Sequence, residues 1–175
     1  MTPKDKALHT LGRALVNFQR LERLLKVLSL LTPMQGAIED VEKRLQRRIE
    51  KANHSTLGAA ITMWINNISN HGDHIKHEPD LFSVTILARF NFGFDESTLE
   101  RHTGDLKSLL EERNAIIHND LWGFDFDSDE QCLLLCQRLD SVNSCIKDQM
   151  DFLDRFLTVI KSLQSGDFTI EEEQL

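Results

Sequence analysis

The feature that most constrains the fold is a long apolar stripe in the last third of the sequence. From about residue 128, apolar residues recur at spacings of three and four. This period predicts one long amphipathic helix that begins at the capping sequence "SDEQ" (128–131). Its apolar face is continuous enough to pack in a helical bundle or a dimer. The members of this face are Leu135, Leu139, Val142, Ile146, Met150, Leu153, Phe156, Ile160 and Leu163.

Three more helices are predicted in the first 70 residues. The first spans 4–31, and its apolar stripe has one charged member, Glu22. The second begins at "TPMQ" (32–35), a capping box with proline at the first helical position, and runs to about residue 53. The third begins at Ser55. The stripe of the first helix is Leu8, Leu11, Leu15, Phe18, Glu22 and Leu25, and that of the third is Leu57, Ile61, Trp64, Ile65 and Ile68.

The period changes to two over residues 82–94, which predicts a β-strand. A lone strand leaves its backbone groups unpaired, so a partner is expected, and the alternation of Trp122, Phe124 and Phe126 supplies one. Between these segments, "STLE" predicts the capped start of a helix over 97–118. The expected fold class is all-α, an antiparallel helical bundle with a small two-stranded β ribbon.

The chain has 175 residues, about the length of one domain. We expect a single helical domain over 1–165, followed by an acidic flexible tail over 166–175. Three cysteines within a leucine-rich helical pattern indicate free thiols in a reducing compartment. The charged start "MTPKDKALHT" is unlike a signal peptide and no apolar run reaches membrane-spanning length. These features predict a cytoplasmic location and no membrane partner.

Charge is unevenly distributed along the chain. Residues 1–57 carry eleven Lys and Arg against six Asp and Glu, a net of +5, so the remaining 118 residues carry −13 to give the total of −8. This balance argues against a general nucleic-acid coat protein, because phosphate binding needs a positive face. The densest basic block, "EKRLQRRIEK" (42–51), is typical of a solvated helix face and is also consistent with a phosphate track.

The fourth predicted helix carries an arginine on an apolar face. Leu106, Leu109, Leu110, Arg113, Ile116 and Ile117 share that face at helical spacing, and Glu111, Asn114 and His118 form a polar stripe beside it. Arg113 and His118 differ by roughly 140 degrees around a straight α-helix. They can act as a pair only if the helix ends or bends near His118, or if a second copy of the motif completes the site.

A structural interpretation of the same residues is also open. Arg113 would form a buried ion pair with Glu22, and His118 would cap carbonyl groups at the helix C-terminus, where a cation is favoured. Unpaired charges are rarely buried, so Arg113 and Glu22 are expected either to meet or to line a cleft.

The stretch "RNAIIH" (113–118) resembles the signature of HEPN domains, all-helical modules in which an arginine, usually followed by a polar residue, precedes a histidine by a few positions. The context is similar as well. "LVNFQRLERLL" resembles the first helix of the family, "STLGAAI" its second conserved helical region, and the leucine-rich helix after the motif its closing helix. The resemblance covers most of the chain and implies a HEPN-like bundle.

The resemblance also implies a function and a set of site residues. Family members that keep the arginine and histidine are often metal-independent ribonucleases, acting as toxins in toxin–antitoxin or phage-defence systems through two motifs that face one cleft in a homodimer. His118 would move protons, Arg113 would stabilise charge on phosphorus, and Asn114 would orient one of them or bind a phosphate oxygen. Glu22, Glu111 and Asp120 are the expected supporting residues.

The same resemblance and the sequence also predict partners and cofactors. RNA is the expected substrate, an antitoxin or regulatory protein an expected partner, and neither a cofactor nor a metal is predicted. The loop histidines His71, His74 and His77 match no common zinc spacing. Some family members are silenced by modification of a tyrosine just beyond the histidine, and this chain has no tyrosine. The rival hypothesis is a noncatalytic helical module that binds a protein or a nucleotide, or that dimerises.

Overall fold

The computed structural model describes residues 1–30, 34–69, 85–88 and 95–165. It belongs to the all-α class. Five helices, α1 (Pro3–Ser29), α2 (Ile38–Asn53), α3 (Leu57–Ser69), α4 (Glu96–Ala115) and α5 (Asp129–Ser165), are joined in the described part by a π turn (Ile116–Asp120) and two short strands, β1 (Met34–Ala37) and β2 (Thr85–Ala88).

The core lies between α1, α3, α4 and α5, and the α1–α5 interface is the most extensive. Contacts along this interface join Arg13 to Asp140 and Asn17 to Asn143, so residue numbers rise together on the two helices. The two helices therefore run parallel. The predicted antiparallel arrangement is wrong for this pair, because the long intervening chain allows α5 to return in the direction of α1.

α4 runs antiparallel to α5. Gln149 of α5 donates to Asp105 of α4, whereas Arg138, earlier in α5, reaches Glu112, later in α4. α4 is also antiparallel to α3, which passes close to it at Gly58. A Cβ added to Gly58 would lie 3.3 Å from the Leu110 side chain, so this glycine permits the close approach.

The buried row of α1 differs from the predicted stripe. Leu8 is 46% exposed, and Leu15 and Glu22 are only partly buried. The true row contains small residues, which allow α5 to approach closely, and the leucine-weighted prediction missed them. Its members recur at three and four residues: Ala7, Leu11, Ala14, Phe18, Leu21, Leu25 and Leu28.

Several predicted element starts are corrected by the structure. Residues 34–37 form β1, so α2 begins at Ile38, and the proposed capping residues Thr32 and Pro33 lie outside the described residues. The cap of α4 is Asp95, whose carboxylate accepts from the Thr98 N–H at 2.8 Å, in place of Ser97. Hydrogen bonds from Ser97 and Thr98 lower the pKa of Asp95 far below its usual range.

The predicted β ribbon is wrong in its partner. β2 pairs antiparallel with β1, whereas Trp122–Phe126 forms turns after the π turn. Gly123 has a φ of +78°, which turns the chain there and prevents an extended strand. The long final helix and its start near Ser128 are confirmed. The expected tail, 166–175, and the loop histidines lie outside the described residues.

Candidate site at the end of the fourth helix

The candidate site lies where α4 passes into the π turn. The row that faces the core contains His102, Leu106 and Leu109 of α4 and Ile116 of the π turn, all buried, and Arg113 lies between the last two. Arg113 itself is only partly buried, so its aliphatic stem covers the end of the core while the charged head reaches the surface. The interruption of an apolar row by arginine marks the end of the packed part of α4.

The π turn changes which side chains face outward. Ile116 is buried and Leu121, five residues later, packs against the core, which is the spacing of a turn closed by i to i+5 hydrogen bonds. His118, between them, is exposed. Because a π turn holds more residues than an α turn, the angle between Arg113 and His118 falls below the roughly 140 degrees of a straight helix. The helix therefore departs from straight α-helical geometry near His118, which is one of the conditions under which the two residues could act as a pair.

The proposed ion pair between Arg113 and Glu22 is absent. Glu22 binds Lys26 on its own helix, with an Nζ–Oε1 distance of 2.8 Å and the i, i+4 spacing that favours such pairs. The Arg113 guanidinium instead donates to Oδ1 of Asn114 at 3.3 Å. No carboxylate of the described residues forms an ion pair with Arg113. Glu22 is thus not a supporting residue through Arg113, and the guanidinium keeps most of its donors for a ligand.

Arg138, a residue that sequence analysis did not identify, joins the candidate site to α5. Arg138 donates to Glu112 Oε2 through both Nε (3.0 Å) and Nη2 (2.8 Å), and to Asp120 Oδ2 through Nη1 (2.7 Å). Glu112 comes just before the motif and Asp120 just after it. On a straight α-helix these two carboxylates would differ by roughly 80 degrees, and the wider turn brings both to the same arginine.

The charges of this clamp, defined as Arg138 with Glu112 and Asp120, partly neutralise one another. Burial lowers the pKa of the Arg138 guanidinium, but hydrogen bonds and attraction from the two carboxylates outweigh this effect and raise it above its usual value. Asp120 is therefore joined to α5 through Arg138. Glu111 is exposed, and in the described part of the chain it has neither a hydrogen bond nor an ion pair through its carboxylate.

A second histidine of α4, His102, is built into the core. Its Nε2 accepts from the Trp64 indole N–H at 2.9 Å, and its ring lies 4.4 Å from that of Phe152. Burial lowers the pKa of His102, and Gln149 and Asp105 oppose that shift only in part. This histidine is held neutral by its surroundings, and its contacts are those of a packing residue.

The chemistry available at the site follows from these placements. His118 presents its imidazole to solvent, where it can accept or donate a proton, and Arg113 presents a guanidinium that suits phosphate oxygens. Within the described residues, no group of histidine, cysteine and carboxylate side chains is arranged to hold a metal ion. The cluster suits proton transfer beside an anion.

Comparison of the chain with protein-family models, curated proteins and solved structures finds no match. Within the described parts of the chain, none of the helices combines the length and the apolar character needed to cross a bilayer.

Proposed function

We propose that this chain is a metal-independent endoribonuclease of the HEPN type, with Arg113 and His118 as its active pair. The observation that carries the proposal is the position of Arg113, Asn114 and His118 at a helix end that widens within the motif itself. No carboxylate of the described residues binds the side chain of Arg113 or of His118. The π turn supports a functional interpretation, because such turns occur often at functional sites.

The proposed reaction needs only proton transfer and charge stabilisation. The ribose 2′-oxygen attacks the adjacent phosphorus and loses its proton, the bond to the 5′-oxygen breaks, and that oxygen gains a proton. The products are a 2′,3′-cyclic phosphate and a 5′-hydroxyl. His118 accepts the first proton or supplies the second, and Arg113 stabilises the negative charge on phosphorus. Asn114 orients the guanidinium through the hydrogen bond already described.

A homodimer would complete this site by supplying a second arginine and histidine across one phosphate. Exposed apolar side chains beside the motif support such an interface. Ile117 is 40% exposed within the π turn, and Leu134 is 59% exposed one helical turn before Arg138. Apolar side chains of this size favour burial against a partner. Leu134→Asp, in α5, is expected to shift the protein from dimer to monomer in sedimentation. The matched control is Leu8→Asp, because Leu8 is also exposed but belongs to α1.

The biological role that fits this activity is a toxin or phage-defence effector, kept in check by an antitoxin or regulatory protein. Growth after induced expression, with total RNA examined alongside, tests it. Wild type and the exposed-histidine control His54→Ala are expected to arrest growth and fragment RNA, whereas His118→Ala and Arg113→Ala are expected to do neither. Fragmentation by folded His118→Ala at the wild-type level would reject the assignment.

The same exposed apolar residues favour a second candidate, a noncatalytic helical module that binds a protein or dimerises. It predicts an oligomer that Leu134→Asp disrupts, together with intact RNA for every variant. Measurement of both properties on the same preparations separates the two functions.

A further inference from the structure

The most exposed of the large apolar side chains in the described residues belongs to the turn that follows the motif. Trp122 is 90% exposed, whereas the other tryptophan of the chain, Trp64, is 1% exposed. Tryptophan side chains are on average highly buried in folded proteins, because the indole is large and mostly apolar. An indole left in water at this position therefore has both faces available for a ligand.

The backbone holds this indole close to His118. The Trp122 N–H donates to the Asn119 carbonyl at 3.2 Å, and the preceding residue, Leu121, packs against the core. Gly123 follows with positive φ, and there is open space around the position where its Cβ would be. The backbone of Trp122 is therefore fixed within one turn of the candidate site, while the faces of its indole ring are exposed to solvent.

The residues after Trp122 are held in place by contacts with the core and with α1. The rings of Phe124 and Phe126 lie 4.7 Å apart, edge to face, and both pack against the core. Lys4 of α1 binds the Asp127 carboxylate at 2.8 Å. A ligand that contacts Trp122 would thus immobilise one side chain and no loop, which lowers the entropic cost of binding.

The charges around the turn favour contact through a base. Asp120 shares Arg138 with Glu112 and Asp127 binds Lys4, but Asp125, Asp129 and Glu130 are close in sequence and exposed. Such a surface repels phosphates except where Arg113 lies. An aromatic face binds a base without requiring positive charge, and bases become available for stacking only where the strand is unpaired.

We propose that Trp122 stacks on an unpaired base next to the phosphate held by Arg113 and His118, so that the chain selects single-stranded RNA. The proposal rests on the proposed ribonuclease function. It differs from a role in dimer formation, in which a second copy would cover the indole.

Intrinsic fluorescence tests the contact directly, because the chain has two tryptophans and no tyrosine. The His118→Ala protein, which should leave RNA intact, is titrated with an unstructured oligoribonucleotide and with the same sequence as a duplex. Quenching of the long-wavelength emission by the single strand is expected, with little change from the duplex. In His118→Ala with Trp122→Leu, the quenching should vanish and the affinity should fall roughly 5- to 150-fold.

The outcomes separate this inference from the proposed function. If wild type cleaves RNA in a His118-dependent way while the single strand binds without quenching, or does not bind, the Trp122 proposal is overturned and the ribonuclease stands. If no variant cleaves RNA but the single strand quenches Trp122, the ribonuclease fails and the base contact stands. An emission that shifts to short wavelength with protein concentration alone would assign Trp122 to a protein interface and overturn the proposal.

Discussion

The two histidines of the segment from α4 to the π turn have opposite surroundings. His102 is 4% exposed, accepts a hydrogen bond from Trp64 and packs on Phe152. His118 lies sixteen residues later, exposed on a turn that deviates from α-helical geometry. Both belong to one continuous run of helix, so composition and helix propensity do not distinguish them. Their packing does.

The comparison teaches where stability and chemistry reside in this molecule. A buried histidine that is held neutral fills space and satisfies a buried indole N–H, and it is costly to protonate. An exposed histidine beside an arginine that no carboxylate among the described residues binds contributes little to folding and can exchange protons with a ligand. The first should therefore govern stability and the second activity.

The largest expected effect on stability is that of His102→Ala. Removal of the ring leaves a cavity beside Phe152 and takes away the acceptor of the Trp64 N–H, and should lower the free energy of unfolding by about 3 kcal/mol. His118→Ala, the matched control on the same segment, should change it by less than about 0.5 kcal/mol. Urea denaturation of the two variants measures both values. Equal losses would contradict the assigned division between the two histidines.

A second expected effect is a loss of stability as the solution is acidified. The pKa of His102 is lowered in the folded state, so the unfolded chain binds its proton first as pH falls below about 6.5. The wild type should lose up to about 1.4 kcal/mol per pH unit from this group in the interval below that value. Above it, both states are neutral and the contribution is constant.

The matched variant for the pH effect is His102→Gln, which keeps a polar side chain but has no ionisable ring. The groups around the ring are Trp64, Phe152, Gln149 and Asp105, and none is changed by the substitution. The difference in stability between wild type and His102→Gln, measured by urea denaturation between pH 7 and 5, should diminish as pH falls. A constant difference would show that His102 is not held neutral.

A smaller effect on stability, with a larger one on activity, is expected for Arg138→Gln. Loss of the clamp should cost about 1 kcal/mol, because its members are near the surface. Release of the π turn should lower kcat for RNA cleavage roughly tenfold with little change in KM, since misplacement of reacting groups acts on the chemical step. Arg138→Lys should restore part of the loss.

Arg13→Gln is the control for the clamp, because Arg13 also pairs with a carboxylate of α5, Asp140, at a similar exposure. It should lose comparable stability and keep its cleavage rate. If Arg138→Gln and Arg13→Gln retained equal activity, Arg138 would be a structural residue only.

Much of the helical pattern could be predicted from the sequence, because periodicity depends on local spacing. The third and fifth helices were located in this way from the rows containing Trp64 and Leu139. The parallel packing of α1 with α5 and the antiparallel pairing of β1 with β2 could not be predicted, because both depend on contacts between distant parts of the chain. The buried row of α1 differs from the leucine-based prediction because alanine, a weak hydrophobic signal, occupies the interface at Ala7 and Ala14.

The candidate site divides in the same way. Arg113, Asn114 and His118 could be proposed from a short motif and a helix end, and the need for a bend near His118 followed from helix geometry. The clamp by Arg138 could not, because an arginine on an exposed stretch of α5 looks like any surface charge until its partners are known. The pairing of Glu22 with Lys26 was visible as an i, i+4 spacing, and it accounts for the wrong assignment to Arg113.

The most direct test of the central claim is cleavage of a single-stranded RNA by purified protein in the presence of EDTA. Wild type and folded His102→Gln are expected to cleave it and to leave 2′,3′-cyclic phosphate ends, whereas His118→Ala should be at least about 100-fold slower. Cleavage by His118→Ala at the wild-type rate, or complete loss of wild-type cleavage in EDTA, would contradict the account.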